Sequence, residues 1–364
     1  MPESSTYRRL AQLIASGAYL GKLPAERTLS VSLGVSRSTL RKALSQLEME
    51  GVLGHSGTRR AQIARALGGA GGMRRIAFIA PAFPSPGTGR LEEALRRTLV
   101  GHEPEIHLAS LRYRAHDEPL FREAARSCDG VFLLLGSDGA DEQLRAALVG
   151  PELAPVVCLE QDLSHWGIPS LTLFPPLCVH QVLDQVHALG HRRIGCLNTQ
   201  PADPVVQANI LAWQVWMATH GCAGPLVSEP VVPFEDPLPR AHALMHTCFA
   251  AHPGVTAWLC LTPDVARGAI RAIHDAGMTA GREVSVCCID GQGQEGFLVP
   301  SLACIASPDP APYFDVGLRW MLAGAARVWH GPLRFSPITS RFHAGESLGP
   351  VPVATAPIPA GADS

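Results

Sequence analysis

The run from Leu23 to Leu53, LPAERTLSVSLGVSRSTLRKALSQLEMEGVL, constrains this chain of 364 residues more than any other stretch. Leu29, Leu33, Val35, Leu40, Leu44, Leu47 and Leu53 are spaced so that two short helices can pack across a turn at Gly34-Val35. Ser36 suits the N-cap of the second helix, because its hydroxyl can accept a backbone N–H that the first turn leaves unpaired. Leu40, Leu44 and Leu47 then share the inner face. Arg37, Ser38, Arg41 and Ser45 point outward, with Lys42 to one side. A helix whose first turn offers Arg, Ser and Thr is suited to the major groove of DNA. Arginine bonds guanine edges bidentately, and hydroxyls and lysine hold phosphates.

Charge agrees with this reading. Residues 1–66 carry ten Lys and Arg against four Glu, a net +6, while the whole chain is −2, so the remainder is −8. A basic head on an acidic body is expected when one domain meets phosphate and the other does not.

The same stretch resembles the GntR-type winged helix. The resemblance rests on Leu23-Pro24-Ala25-Glu26-Arg27, Leu29, Leu33-Gly34-Val35-Ser36-Arg37, Thr39-Leu40-Arg41, Ala43-Leu44, Leu47 and Glu50-Gly51-Val52-Leu53. It implies a winged helix-turn-helix over 1–66. It also implies DNA contacts from Arg27, Arg37 and Arg41, joined by Ser36, Ser38, Thr39 and Lys42 and by Thr58 and Arg59 of the wing. The wing departs from the family pattern: His55 to Ile63 lacks one glycine and the aromatic and adds Arg59 and Arg60.

The whole chain has normal soluble composition, 46% hydrophobic and 17% charged. No apolar run approaches the roughly twenty residues of a membrane span, and the opening MPESSTYRRLAQ has no apolar signal core. Of the ten cysteines, Cys158, Cys196, Cys260, Cys287 and Cys288 lie in apolar strand-like runs, the usage of buried thiols in a reducing cytoplasm. His242, His246 and Cys248 concentrate on one helix. Without a fourth ligand or a C-x-x-C they read as surface histidines, so neither a metal nor a cofactor is expected.

A glycine-rich linker at 67–73 follows the head, and a Pro/Ala-rich tail at 349–364 reads as disordered. Between them, 74–348 alternates apolar runs with amphipathic helices. The runs are 73–82, 105–111, 129–135, 155–160, 193–198, 227–232, 257–261 and 284–289. The expected helices include 91–99, 117–127, 141–148, 177–189, 205–220, 239–252, 263–276 and 312–329. The fold class is therefore α/β, with two parallel doubly wound sheets of about five strands each.

This body resembles the effector domain of LacI-type repressors, which share the two-lobed fold of periplasmic sugar-binding proteins. The likeness is carried by Arg75-Ile76-Ala77, Asp129-Gly130-Val131, Leu189-Gly190-His191-Arg192-Arg193-Ile194, Asp264 with Ala266 and Gly268, Glu283 to Val286 with Ile289-Asp290, and Pro300-Ser301-Leu302. It implies a small molecule, sugar-like, bound where strands end. Phe83, Ser137, Glu160, Asn209, Trp213, Asp264 and Asp290 are the effector candidates. Asp264 either touches ligand or caps its helix. Asn209 replaces the family's ligand-binding arginine, and Trp213 and Trp216 either stack on a sugar ring or fill the core.

Enzyme readings meet obstacles. Gly291-Gln292-Gly293-Gln294-Glu295-Gly296 spells G-x-G-x-x-G after a strand, yet no helix follows to hold a pyrophosphate. Lys22 and Lys42 are the only lysines, so the body has none for a Schiff base or a P-loop. An enzyme or an exported solute-binding protein with an appended head is the rival reading. The sequence points instead to a cytoplasmic, ligand-responsive regulator, a repressor by its resemblance. Its expected partners are double-stranded operator DNA, a small effector and a second copy of itself as a homodimer, with no membrane.

Overall fold

The computed structural model describes residues 5–15, 18–19, 22–49, 52–54, 62–63, 74–83, 85–100, 102, 106–116, 118–136, 139–323, 326 and 333–352. The chain divides into two compact units, one of 1–173 with 309–336 and one of 174–308 with 337–364. It passes between them three times.

The first unit opens with three helices, α1 (Ser5–Ala15), α2 (Glu26–Leu33) and α3 (Arg37–Met49). Their buried faces form one small core containing Leu10, Ile14, Leu29, Leu33, Leu40, Leu44 and Leu47. Two short strands, β1 (Leu53–Gly54) and β2 (Gln62–Ile63), then pair antiparallel. That pairing is the base of a wing. Its connecting residues, with Thr58 and Arg59, and the expected 67–73 linker lie outside the described residues.

The unit continues through β3 (Arg74–Pro81), α4 (Pro86–Leu99), β4 (Ile106–Tyr113), α5 (Leu120–Ser127), β5 (Gly130–Leu134), α6 (Glu142–Leu148), β6 (Val156–Leu159) and β7 (Ser170–Leu171). The second unit supplies α7 (Leu177–Ala188), β8 (Ile194–Asn198), α8 (Pro204–Thr219), β9 (Leu226–Ser228), α9 (Pro237–Ala251), β10 (Ala257–Cys260), α10 (Pro263–Asp275), β11 (Ser285–Asp290) and β12 (Ala303–Ala306). Helix α11 (Ala311–Leu322) and β13 (Arg334–Phe335) return to the first unit, and β14 (Arg341–His343) ends in the second.

Each unit has a six-stranded sheet rather than the five expected, ordered β13-β7-β6-β5-β3-β4 in the first and β14-β12-β11-β10-β8-β9 in the second. All pairings in the first sheet are parallel, and in the second only β14 runs antiparallel, against β12. Helices cover both faces, which is why the strands read as continuous apolar runs. In the second unit Cys196, Leu259, Cys287 and Ile305 face α7 and α8. Their neighbours Leu197, Trp258, Cys260, Val286 and Cys304 face α9 and α10. Gly195 is required on β8, because a Cβ there would sit 2.4 Å from the Trp258 ring.

Three expectations need correction. The last long helix stops at Leu322, not near Trp329. Strands β7, β12, β13 and β14 went unread, being two to four residues long. The first residues of the expected tail, 349–352, are held in place, and the rest of it lies outside the described residues. Gly349 N donates to Ser285 Oγ, the Gly349 carbonyl accepts from His191, and Val351 N donates to Leu189 O. The strand cysteines Cys158, Cys196, Cys260, Cys287 and Cys288 are buried thiols, as expected, and burial pushes each one's pKa up. Among the described residues no helix is long and apolar enough to cross a membrane.

Candidate nucleic-acid interface and ligand-binding edges

The turn between α2 and α3 is built as its residue types require. Gly34 takes φ 67°, a left-handed C-cap that suits glycine, and returns its N–H to Val31 O. Ser36 then caps α3, its Oγ accepting Thr39 N at 3.1 Å. The same Oγ lies 2.8 Å from both Ser38 Oγ and Thr39 Oγ1. Ser36 is therefore committed to the cap, whereas Arg37, Ser38, Arg41 and Lys42 stand exposed on α3 and Arg27 on α2. Arg41 is not idle: its Nε donates to Glu26 Oε2 at 2.9 Å, tying the two helices together. Both groups face water, so such a pair contributes about 0–1 kcal/mol and can be exchanged for a phosphate or base edge.

Sequence reasoning had no means of finding the anchor beneath this head. Arg75, the second residue of β3, is only 5% exposed. Its guanidinium donates Nη1 to Ile14 O at 3.2 Å and Nη2 to Ser127 O. Ile14 is in the last turn of α1 and Ser127 ends α5, so one cation satisfies carbonyls at two helix C-termini, where positive charge is favoured. The Arg75 backbone is pinned as well, its N–H donating to Asp129 Oδ2 at 2.8 Å and its carbonyl accepting Asp129 N at 2.7 Å. A side chain of the body thus holds the head, and α1 also touches β4.

In doubly wound sheets ligands bind at the carboxyl ends of strands, near the point where strand order reverses. In the first unit that point lies between β3 and β5. Phe83, half-buried, lies two residues beyond β3. Ser137 lies outside the described residues, but the adjoining Gly136 is clamped, its N–H donating to Tyr113 Oη at 2.6 Å and its carbonyl accepting Gln161 Nε2 at 2.8 Å. Glu160 directly follows β6 with φ 69°, a left-handed backbone that costs a non-glycine residue about 1–3 kcal/mol. Its Oε2 accepts Leu173 N at 3.3 Å.

In the second unit the reversal lies between β8 and β10. Residues there that the sequence reading missed are Asn198, Gln200 and Thr262. Asn198 Nδ2 donates to Ser228 Oγ at 3.0 Å, and Gln200 Nε2 to Thr262 Oγ1 at 3.1 Å. Asp290 ends β11, as expected, and is half-buried. Asn209 and Trp213 share the inner face of α8, and both are buried. Among the described residues Asn209 Oδ1 and Trp213 Nε1 have no hydrogen-bond partner, a cost of about 1–3 kcal/mol for each buried polar atom. The Trp213 ring is 5% exposed and offers no open face for stacking on a sugar; Trp216 is core too, bonded through Nε1 to Asp184 Oδ1 at 2.8 Å. Asp264 does not cap α10. Thr262 does, and Asp264 pairs with Arg267 one turn on.

Two catalytic spellings dissolve in place. Gly291 to Gly296 leads into a 3-10 turn and then β12, with no helix to receive a pyrophosphate. Gly345-Glu346-Ser347-Leu348-Gly349 spells the G-x-S-x-G of a nucleophile elbow, a match the sequence reading overlooks. Ser347, however, is fully buried, donating to Val286 O and accepting Ala303 N. Cys248 is turned into the core, and Asp275 takes its place beside His242 and His246.

Comparison with known proteins agrees with this architecture. Residues 2–62 match the family model of bacterial regulatory proteins, gntR family, and 183–311 match that of the periplasmic binding protein-like domain. No curated protein matches the chain. Among solved structures, a LacI transcriptional regulator from a Rhodococcus species superposes with TM-score 0.63 at 16% identity, covering 77% of this chain and 100% of that one. A LacI family regulator from Enterococcus faecium with bound ribose gives 0.62 at 14%, covering 76% and 100%. The regulator CCPA from Weissella paramesenteroides with bound glucose gives 0.61 at 17%, covering 76% and 98%. An exposed α3 and these matches lead to one description: a head that matches the gntR-family model precedes a body that matches the periplasmic binding protein-like domain and has the fold seen in LacI-family transcriptional regulators.

Proposed function

We propose that this protein is a cytoplasmic repressor that binds duplex operator DNA as a homodimer and responds to a sugar or sugar derivative. The observation that carries the reading is the capped helix α3, which presents Arg37, Ser38, Arg41 and Lys42 to solvent above a closed core. Arg27 and the wing residues Thr58 and Arg59 complete the proposed DNA contacts. A symmetric dimer implies a pseudo-palindromic operator.

Effector contacts are assigned to Asp290, Asn209 and Trp213 in the second unit, and to Phe83, Ser137 and Glu160 in the first. The unpartnered Asn209 Oδ1 and Trp213 Nε1 offer an acceptor and a donor, which suits a hydroxyl-bearing ligand. Asp264, held by Arg267, is the weakest member of the set. Sugar ligands accompany two structural neighbours and support the same class.

Coupling runs along β3. Its amino end carries Arg75, which holds the head, and Phe83 lies just past its carboxyl end. A strand is stiff, so a ligand favouring one placement of Phe83 biases the anchor and shifts the population of DNA-competent heads.

Fluorescence anisotropy with promoter fragments from the host genome tests the reading. Binding is expected to weaken steeply with salt and to be released by one member of a sugar panel. Failure to bind any fragment at low salt, with or without sugars, refutes it.

A further inference from the structure

Helices α9 and α10 pack closely at one point. A Cβ on Gly268 would meet Leu238 O at 2.7 Å and Ala241 Cβ at 2.9 Å, so only glycine admits the approach. That approach brings the end of α10 against a histidine pair on α9. His242 and His246 are one helical turn apart and share a face. His242 Nε2 lies 2.9 Å from Asp275 Oδ2, and the two imidazole rings stand 4.9 Å apart at 83°. One ligand atom from each of His242, His246 and Asp275 falls within 4.8 Å of the others.

We infer that His242, His246 and Asp275 form a three-ligand surface site for a borderline divalent transition ion such as Zn2+, with water completing its coordination. Ligands about 2.1 Å from a tetrahedral ion stand roughly 3.4 Å apart, so side-chain rotation alone closes the set. Two imidazole nitrogens select Zn2+ and its neighbours over Mg2+ or Ca2+, which prefer oxygen. Arg271 occupies only Oδ1 of Asp275, at 2.8 Å, leaving Oδ2 for the ion. No described residue hydrogen-bonds the His246 ring, which packs edge-on against His242 and Phe249. The ion would clamp α9 to α10, elements that otherwise meet through Gly268 and apolar contacts.

The test uses the full-length chain with any affinity tag removed. Wild type, His246→Gln and Cys222→Ser are dialysed against ZnCl2 in excess Mg2+, and thermal unfolding is followed with and without Zn2+. Cys222 is the cysteine that is not fully buried, so its variant controls for thiol binding. Wild type and Cys222→Ser are expected to take up one more equivalent of Zn2+ than His246→Gln and to melt higher with Zn2+. Mg2+ alone should leave the melt unchanged. Co2+ in place of Zn2+ is expected to give visible absorption in wild type that His246→Gln lacks. Equal uptake by wild type and His246→Gln, no uptake at all, loss in Cys222→Ser, or an equal response to Mg2+ overturns the proposal. None of these readouts involves DNA or sugar, so the result stands apart from the regulatory reading.

Discussion

Replacing Arg75 by methionine isolates the junction between head and body. The unbranched stem is kept in a site only 5% exposed, while both guanidinium bonds, to Ile14 O and to Ser127 O, are removed. Hydrogen bonds from charged groups contribute about 1.5–3 kcal/mol each, and the abandoned carbonyls stay at buried helix ends. Ser127 belongs to the body, so only the bond to Ile14 O crosses to the head, and the lower figure for that one bond gives about 1.5 kcal/mol lost from docking. At about 1.4 kcal/mol per decade, that shifts the balance roughly tenfold toward an undocked head. Scanning calorimetry is expected to resolve a separate, earlier head transition in Arg75→Met, and trypsin to cut faster after Arg65. Arg75→Lys keeps the charge without the planar fork and is expected to fall between the two. A single transition at the wild-type temperature with unchanged cleavage would refute the role given to this arginine.

Three further outcomes are expected. Arg41→Ala costs about 1–3 kcal/mol of operator affinity and relaxes base preference at one position, measured by anisotropy on single-base operator variants; equal weakening on every sequence would make Arg41 a phosphate contact. Asp290→Ala abolishes release by effector while operator affinity is retained, and a surviving response would misplace the ligand edge. The third concerns pH. Burial pushes the His191 ring below its ordinary value of 6.5, partly opposed by the Gly349 carbonyl. That carbonyl can only accept, so Nε2 carries the hydrogen and Nδ1 accepts from Thr256. Because the folded pKa is depressed, the unfolded chain binds the proton first. Stability is full above pH 6.5 and falls as pH drops below it, by at most about 1.4 kcal/mol per unit from this group. Urea titrations of wild type and His191→Gln across pH 5 to 7.5 should show a flatter acid limb in the variant, and parallel limbs would exclude His191 as the cause.

The helical head was readable because each local choice agrees: Gly34 where φ is positive, Ser36 where a cap is needed, and leucines at helical spacing. The sheets were readable because both faces are covered, which leaves apolar runs such as Ile194–Asn198 and Ser285–Asp290. Edge strands such as Arg334–Phe335 have too few residues to show any period. The anchor at Arg75 and the arrival of Asp275 beside His242 depend on long-range packing that no local pattern encodes. The misreading of Cys248 was avoidable. Two residues past His246 is about 200° around a helix, so that thiol had to face away from the histidines. The candidate ligand edges were placed by strand ends, as for Asp290, but the unpartnered atoms of Asn209 and Trp213 emerge only from packing.

The order of the chain sets a timetable for synthesis. The helical head is contiguous, whereas 309–336 belongs with the first unit and 337 onward with the second. A ribosome therefore releases the three-helix module long before either unit can close its sheet. A truncated product ending before β13 would carry an intact head and two unfinished sheets, and under the function proposed above it would compete for operator sites without answering to any metabolite.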